Sequence, residues 1–200
     1  MPAVPRLILA STSRYRSELL ARLRLPFEVV APGVDESPRP DEAPRALAER
    51  LALAKAHAVA AQHAQAVVIG ADQVAELDGA AIGKPHTHAR ALAQLRLMSG
   101  RQVSFHTAVA VVCRERGFAR GLLAPVVVTF RTLADDEIEH YLRTEQPYDC
   151  AGSAKSEALG IALLAAIDSD DPTALVGLPL IRTCELLRAA GLDPLAAAAR

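Results

Sequence analysis

Residues 7–20 are the part of the sequence that most narrows the possible folds. Four apolar residues precede a cluster of hydroxyl residues and then a run with helical periodicity, which predicts a strand, a tight turn and a helix. Ser13 is the expected N-cap of that helix. Arg14 and Arg16 fall in its first turn, where the helix dipole disfavours cations, so a bound anion would balance them. This predicts a phosphate site at the helix N-terminus, whereas the alternative is a pair of solvated arginines above a helix whose leucines face the core.

The patterns after this unit predict an α/β protein with a mixed sheet and flanking helices. Asp78-Gly79 is a typical hairpin turn, and residues 114–117 form a turn between two long apolar segments, so part of the sheet should be antiparallel. The expected strands are 7–10, 26–30, 67–77, 81–85, 102–113, 122–132 and 159–167, and the expected helices are 14–20, 42–65, 87–99, one beginning at 135 and one between 177 and 191.

Composition and charge exclude several classes of protein. The chain has 200 residues, of which 51% are hydrophobic, enough for the core of one domain over residues 1–200. A net charge of -1 without a long basic run argues against a nucleic-acid polymer as partner. No apolar stretch suits a membrane span, and residues 1–6 lack signal-peptide features, so we expect a cytoplasmic protein. The three cysteines are far apart without a C-x-x-C pair and are expected to be small core residues.

Two segments carry carboxylates in settings that suggest a function. Asp35 and Glu36 lie in a loop, residues 31–40, that three prolines stiffen. The alternative for this loop is a solvated acidic turn. Asp72 interrupts the apolar run 67–77, and a carboxylate inside a buried strand must be paired, hydrogen-bonded or bound to a metal ion. The alternative for Asp72 is to cap backbone N–H groups at the end of a strand.

Two lysines complement these carboxylates. Lys55 lies beside core positions of an alanine-rich helix, and its ammonium should extend to solvent unless an anion faces it. Lys84 lies between Gly83 and Pro85, and the proline favours an extended backbone at the lysine. Carboxylates that hold Mg²⁺, together with cations that neutralise phosphate oxygens, are the groups that phosphoryl and nucleotidyl chemistry needs. The two lysines and Arg16, combined with Glu36 and Asp72, therefore indicate a site for a phosphorylated substrate.

Other familiar chemistries have no support in the sequence. The six histidines lack metalloprotease or deaminase spacing. The motifs G-x-S-x-G, G-x-G-x-x-G and the Walker lysine motif are absent. The charged set thus remains the main functional signal.

Five short motifs follow one another along the chain. They are Leu-Ile-Leu-Ala-Ser-Thr-Ser-x-x-Arg-x-x-Leu-Leu from residue 7, Val-Asp-Glu at 34–36, Ala-Lys-Ala at 54–56, Gly-Ala-Asp-Gln at 70–73 and Gly-Lys-Pro at 83–85. Together they resemble the Maf family of nucleoside triphosphate pyrophosphatases. The resemblance covers nearly the whole chain, in order and at matching spacing. One departure is Arg14, at a place where the family often has proline.

The resemblance implies an elongated mixed α/β fold of the Maf and inosine-triphosphatase type, with the site in a cleft between two lobes. It implies a substrate that is a nucleoside triphosphate, with its phosphates bound by Ser13, Arg16, Lys55 and Lys84. Glu36 and Asp72 would hold a divalent metal ion, Mg²⁺ or Mn²⁺, and Asp72 would be the catalytic base. A homodimer is also implied.

Within this family, the chain is similar to the subgroup that hydrolyses 7-methyl-GTP. Members that act on dTTP and UTP carry threonine after the catalytic aspartate, whereas this chain has Gln73. The subgroup has an aromatic residue at the place of Tyr15 and a Ser-Glu pair at that of Ser156-Glu157. An aromatic ring attracts the cationic N7-methylguanine, and the Glu157 carboxylate can accept hydrogen bonds from guanine N1–H and the exocyclic amine. Gln73 could hold another edge of the ring.

Two other functions remain open at this stage. One is a dTTP or UTP pyrophosphatase of the same family, which Tyr15, Gln73 and Glu157 would distinguish from the 7-methyl-GTP subgroup. The alternative for Tyr15 is packing against the first helix, and that for Glu157 is a solvated loop acid. The other is a non-catalytic, nucleotide-binding regulator of cell division, which would need no acid positioned at the phosphates.

Overall fold

The computed structural model describes residues 5–198, which form one seven-stranded mixed sheet with flanking helices. The strands are β1 (Leu7–Ala10), β2 (Glu28–Val30), β3 (Val67–Leu77), β4 (Ala80–Ile82), β5 (Gln102–Cys113), β6 (Phe118–Phe130) and β7 (Leu164–Ser169). The α-helices are α1 (Arg14–Ala21), α2 (Pro44–Ala60), α3 (His88–Met98), α4 (Asp135–Glu145), α5 (Leu180–Ala189) and α6 (Pro194–Ala198). The predicted α/β class and the mixed sheet are confirmed.

The sheet changes from parallel to antiparallel at β3. Its strand order is β2-β1-β3-β5-β6-β7, with β4 paired separately to β3. The strands β2, β1 and β3 are parallel, whereas β5, β6, β7 and β4 each run antiparallel to their neighbours.

One edge of β3 is left open in the middle of the strand. Residues 67–70 of β3 pair with β1, and residues 75–77 pair with β4. Between these two pairings, the same edge of residues 71–74 has no strand beside it in the described part of the chain. Asp72 and Gln73 lie in this gap, and because successive side chains of a strand point to opposite faces, they face opposite sides of the sheet.

Two parts of the structure, each with its own core, meet at this gap. In the first part, α2 packs on one face of the sheet, and α1 and α5 pack on the other through residues such as Leu20 and Leu186. In the second part, α3 and α4 pack on the sheet through residues such as Met98 and Leu142. Residues of both parts line the cavity described below, which agrees with the expected cleft between two lobes.

The contact between α2 and β3 is unusually close. A Cβ atom added at Gly70 would lie 2.2 Å from the carbonyl oxygen of Ala52 and 2.6 Å from the amide nitrogen of Ala56. Only glycine permits this approach, because any side chain would push the helix away from the strand. The contact places this turn of α2, which carries Lys55 between Ala52 and Ala56, beside the residues that follow Gly70.

Several predicted boundaries are wrong. The predicted strand 159–167 is a 3-10 helix over Leu159–Leu163 followed by β7. A Cβ at Gly160 would lie 2.5 Å from the Lys155 carbonyl oxygen, so the chain is folded tightly on itself there and cannot extend. Helix α2 ends at Ala60 rather than at residue 65, because the chain after it forms turns. Strand β6 begins at Phe118 rather than at residue 122, because its pairing with β5 continues up to the turn between them.

Smaller differences concern the ends of elements and the cysteines. Strand β4 ends at Ile82, so Lys84 lies in a loop, and the last predicted helix begins at Leu180 and is followed by the unpredicted α6. Cys113 is buried as expected, whereas Cys150 and Cys184 are only partly buried. None of the helices within residues 5–198 has the length and apolar character that a bilayer span requires. Most of the segment 1–6 examined for a signal peptide lies outside the described residues.

Replacing Gly70 tests the role of the close contact between α2 and β3. Gly70→Ala should lower the free energy of unfolding by at least about 2 kcal/mol, because the added methyl group meets backbone atoms of α2. Gly83→Ala is the matched control, since an added Cβ meets open space there and should change stability by about 0.5 kcal/mol or less. Urea unfolding measures both, and an equal effect of the two variants would contradict the proposed packing constraint.

Candidate active site

A cavity of about 1000 Å³ opens at the gap along β3. It is lined by the turn between β1 and α1, the loop after β2, α2, β3 and the segment that follows β4. Eight of the nine residues predicted for the site line it: Ser13, Tyr15, Arg16, Glu36, Lys55, Asp72, Gln73 and Lys84. The ninth, Glu157, is exposed and lines an adjoining cavity of about 90 Å³ together with five of the same residues. The structure therefore brings together all nine, although they are spread over 145 positions of sequence.

The turn between β1 and α1 is held by two serine hydroxyls. Ser13 is the N-cap of α1, and its Oγ accepts a hydrogen bond from the Arg16 amide at 3.4 Å, as predicted. The Ser11 side chain is 3% exposed, and its Oγ accepts a hydrogen bond from the Ser13 amide at 3.1 Å. The first amides of a helix have no partner within the helix, so this turn presents donors toward the cavity. Ser11 was not among the predicted site residues.

The Arg16 guanidinium is anchored at one end. Its Nε donates to the carbonyl oxygen of Gly177 at 2.9 Å, which leaves the terminal nitrogen atoms for another acceptor. Burial lowers the pKa of this guanidinium, while the carboxylates of Asp72 and Glu36 act in the opposite direction. Arginine remains a cation throughout the physiological pH range, so the site holds a fixed positive charge.

Lys55 lies between the two predicted metal ligands. Its side chain is only 5% exposed, and its Nζ contacts Asp72 Oδ1 at 2.7 Å and Glu36 Oε1 at 2.8 Å. Lys55 therefore does not extend to solvent, because carboxylates face it, which is the exception that the sequence analysis allowed. Asp72 is 6% exposed, so its carboxylate depends on this ammonium for compensation of its charge.

The carboxylates fit a magnesium ion that is shared with a substrate. The described residues contain no group of three or more His, Cys, Asp or Glu side chains arranged to hold a metal ion. Glu36 and Asp72 nevertheless both contact the Lys55 ammonium, so they converge on one small region of the cavity wall. Mg²⁺ is commonly held by one or two carboxylates, with phosphate and water oxygens as its other ligands, so this pair is sufficient once a triphosphate is present.

The other side of the cavity carries an aromatic ring and uncharged polar groups. The guanidinium of Arg14 lies 4.8 Å from the centroid of the Tyr15 ring, and its Nη2 donates to the Tyr15 hydroxyl at 3.0 Å. Burial raises the pKa of Tyr15, so the phenol is neutral near pH 7. Gln73 lines both cavities, with its amide nitrogen bonded to neighbouring chain segments. Burial raises the pKa of the nearby Cys150 thiol to about 12, so that thiol is not a nucleophile here.

Comparison with known proteins identifies the family. A family model described as Maf-like protein matches residues 6–190. The chain belongs to the Maf family. It is 67% identical over 196 residues to a 7-methyl-GTP pyrophosphatase of Albidiferax ferrireducens, an alignment that covers 98% of each chain.

Two further Maf relatives agree. A 7-methyl-GTP pyrophosphatase of Polaromonas sp. is 68% identical over 186 residues, which cover 93% of this chain and 85% of the relative. A 7-methyl-GTP pyrophosphatase of Thiobacillus denitrificans is 56% identical over 191 residues, which cover 96% of this chain and 95% of the relative. The family resemblance deduced from the five motifs is confirmed.

Sequence reasoning missed the segment that closes this Maf site from the side of α5. The 174–177 segment contacts two site residues, since Gly177 accepts a hydrogen bond from Arg16, and the carbonyls of Ala174 and Leu175 accept from Gln73. Its signal in the sequence was an acidic turn followed by Gly177-Leu-Pro, which carries no recognisable motif.

A fully buried carboxylate fixes the base of the 174–177 segment. Asp171 is 0% exposed, and its oxygens accept hydrogen bonds from the Thr173 hydroxyl at 3.0 Å and from the amides of Ile181 at 2.9 Å and Arg182 at 3.1 Å. Two of these donors are amides in the first turn of α5. Asp171 therefore caps that helix from a distance and joins it to the 174–177 segment.

Removing Lys55 tests whether the buried pair compensates the charge of Asp72. Lys55→Met should lower the free energy of unfolding by about 3 kcal/mol, because it leaves a buried carboxylate unpaired. The double variant Lys55→Met with Asp72→Asn should lose less free energy of unfolding than the two single variants lose in sum, since no buried carboxylate is then left unpaired. Lys84→Met is the control, because Lys84 is exposed and forms no ion pair with a described residue. Additive effects in urea unfolding would refute the coupling.

Substitutions at Asp171 and at its neighbour Asp170 test whether Asp171 caps α5. Asp171→Ala should cost about 2 kcal/mol of stability, because it leaves buried amides of α5 and the Thr173 hydroxyl without acceptors. Asp170→Ala should cost less than about 1 kcal/mol, because its side chain is 64% exposed and pairs with Arg182 at the surface. Thermal unfolding distinguishes them, and similar losses would mean that Asp171 is not a cap.

Proposed function

We propose that this Maf family member hydrolyses 7-methyl-GTP to 7-methyl-GMP and diphosphate. One observation carries the proposal: a large cavity with a cationic, hydroxyl-lined side that suits phosphates adjoins a smaller one, and together they offer a base an aromatic ring and two acceptor groups. Relatives that are 56–68% identical and bear the name 7-methyl-GTP pyrophosphatase support the choice of substrate.

The phosphate side would be formed by Ser13, Arg16, Lys55 and Lys84. The N-terminus of α1 offers amides and a hydroxyl, and Arg16 offers a guanidinium whose free end points away from Gly177. Glu36 and Asp72 would hold Mg²⁺ or Mn²⁺, which would polarise the phosphate oxygens and neutralise their charge. Lys55 supplies a fixed positive charge beside both carboxylates.

Asp72 would act as the catalytic base through one defined atom. Its Oδ1 accepts a hydrogen bond from Lys55, whereas its Oδ2 forms no hydrogen bond with a described residue. Oδ2 can therefore take a proton from a water molecule that attacks the α-phosphorus. The water oxygen bonds to phosphorus, the bond from phosphorus to the α–β bridging oxygen breaks, and diphosphate departs with the bridging oxygen. Arg16 and Lys84 would stabilise the charge that gathers on the phosphates.

The base side would select a methylated guanine. Tyr15 already has a cation against its ring, the guanidinium of Arg14, and an N7-methylguanine would present a cation of the same kind. Glu157 would accept hydrogen bonds from N1–H and the exocyclic amine. Thymine and uracil have neither the positive charge nor an adjacent pair of donors, so this arrangement disfavours dTTP and UTP. A regulator that only binds nucleotides would gain nothing from the buried carboxylate at the phosphates.

The remaining parts of the proposal concern the location, oligomeric state and domain organisation of the enzyme. We include in it a cytoplasmic location, a homodimer and a single Maf-like domain over residues 1–200, as predicted from the sequence and the family resemblance.

A panel of triphosphates tests the proposed reaction. The purified protein with Mg²⁺ should release diphosphate from 7-methyl-GTP with a kcat/KM at least about tenfold above that for GTP, dTTP or UTP, because one favourable base contact is worth about that factor. A chelator should abolish release. Preference for dTTP would overturn the substrate assignment, and no release from any triphosphate would overturn the enzymatic function.

The role of Asp72 is tested by a matched pair of substitutions. Asp72→Asn should lower kcat at least about 100-fold, because the amide cannot accept the proton of water. The variant should still fold, since Lys55 keeps its contact with Glu36. Asp35→Asn is the control, because Asp35 is exposed and does not line the cavity, and it should retain kcat. Substantial turnover by folded Asp72→Asn would remove Asp72 from this role.

A further inference from the structure

The side-chain amide of Gln73 is held in one orientation. Its Nε2 lies 2.9 Å from the hydroxyl oxygen of Thr107, 3.0 Å from the carbonyl oxygen of Ala174 and 2.9 Å from that of Leu175. An NH₂ group has two protons, so all of its donor capacity is used by these three acceptors. The opposite orientation would place the amide oxygen against two carbonyl oxygens, which is repulsive.

The oxygen of this amide is left for the substrate. Gln73 Oε1 forms no hydrogen bond with a described residue. It is not enclosed either, because the only buried side-chain polar atom without a partner among the described residues is Nδ1 of His106. Gln73 lines both the large cavity and the adjoining cavity that contains Glu157. The amide therefore offers the cavity an acceptor and no donor.

Thr107 is the residue that completes this arrangement. It lies directly opposite Gln73 in the pairing of β3 with β5, and its side chain is 0% exposed. Its hydroxyl donates to the Ala174 carbonyl oxygen at 3.0 Å, so its oxygen is free to accept from Gln73. Thr107 thus ties the amide and the 174–177 segment to the same point of the sheet. Nothing in the proposed reaction otherwise uses this buried hydroxyl.

We propose that Thr107 is a positioning residue that makes Gln73 a pure hydrogen-bond acceptor for the 2-amino group of the base. This rests on the proposed function. Guanine has one N1–H and two protons on its 2-amino group. The Glu157 carboxylate takes N1–H and one amino proton, and Gln73 Oε1 takes the other amino proton. The site then matches every donor of that edge with an acceptor, and a base without the 2-amino group leaves Gln73 unpaired.

A comparison of 7-methyl-GTP with 7-methyl-ITP, which differs only by the missing 2-amino group, tests this inference. Wild-type protein should prefer 7-methyl-GTP in kcat/KM. Thr107→Val has nearly the same shape without the hydroxyl, so the Ala174 carbonyl loses its hydrogen bond to β5 and the 174–177 segment can shift. The Gln73 amide is then no longer held by fixed acceptors and can turn its donors toward the base. The preference should fall about tenfold in this variant, mainly through a higher KM for 7-methyl-GTP. Thr107→Ser keeps the hydroxyl and should retain the wild-type preference.

The ratio of the two substrates separates positioning from a loss of fold, because reduced stability lowers both activities alike. An unchanged preference in Thr107→Val, or a preference lost equally in Thr107→Ser, would overturn the inference. If Thr107→Val does not fold, Gln73→Leu provides the second test, and it should lose the preference for the 2-amino group. Inactivity of wild-type protein toward 7-methyl-GTP would overturn the proposed function, and GTP with ITP would then make the same comparison of the 2-amino group.

Discussion

The buried contact between Lys55 and Asp72 is the interaction on which the site depends. Charged side chains at 5% and 9% exposure are tolerated only as a pair, because each loses its hydration on folding. The pair can form because α2 reaches β3 without a side chain between them at Gly70. A backbone constraint two positions earlier in the strand therefore decides where the proposed catalytic carboxylate lies and which cation compensates it.

The position of the cavity follows from the strand order. Strand β3 is longer than either of its partners on one edge, so β1 and β4 leave four of its residues uncovered. The turn into α1 begins where β1 ends, which brings its amides and Arg16 to the same opening. Ligands of α/β proteins commonly bind beyond the carboxyl ends of parallel strands, and the cavity lies beyond the carboxyl end of β1.

The sequence predicted which residues meet, but not how they are held. The motifs single out Ser13, Arg16, Asp72 and the lysines because each lies in a short local pattern, and these residues line one cavity. The burial of Lys55 could not be deduced, since it depends on how closely one helix packs against Gly70 of a neighbouring strand. Two of the three partners of Gln73 could not be deduced either, because they lie in a 3-10 turn about a hundred positions later. The apolar run 159–163 was predicted as a strand, because hydropathy does not show how closely Gly160 packs against the backbone of Lys155.

Asp72 and Gln73 are adjacent in the chain yet face opposite sides of the sheet, each with its own supporting elements. Asp72 accepts a hydrogen bond from α2, whereas Gln73 donates hydrogen bonds to β5 and the 174–177 segment. Under the proposed function, exchange of the residue at position 73 would alter which nucleotide is accepted without disturbing bond cleavage at Asp72. Such a separation would let related proteins diversify their substrates while the hydrolytic residues stay constant.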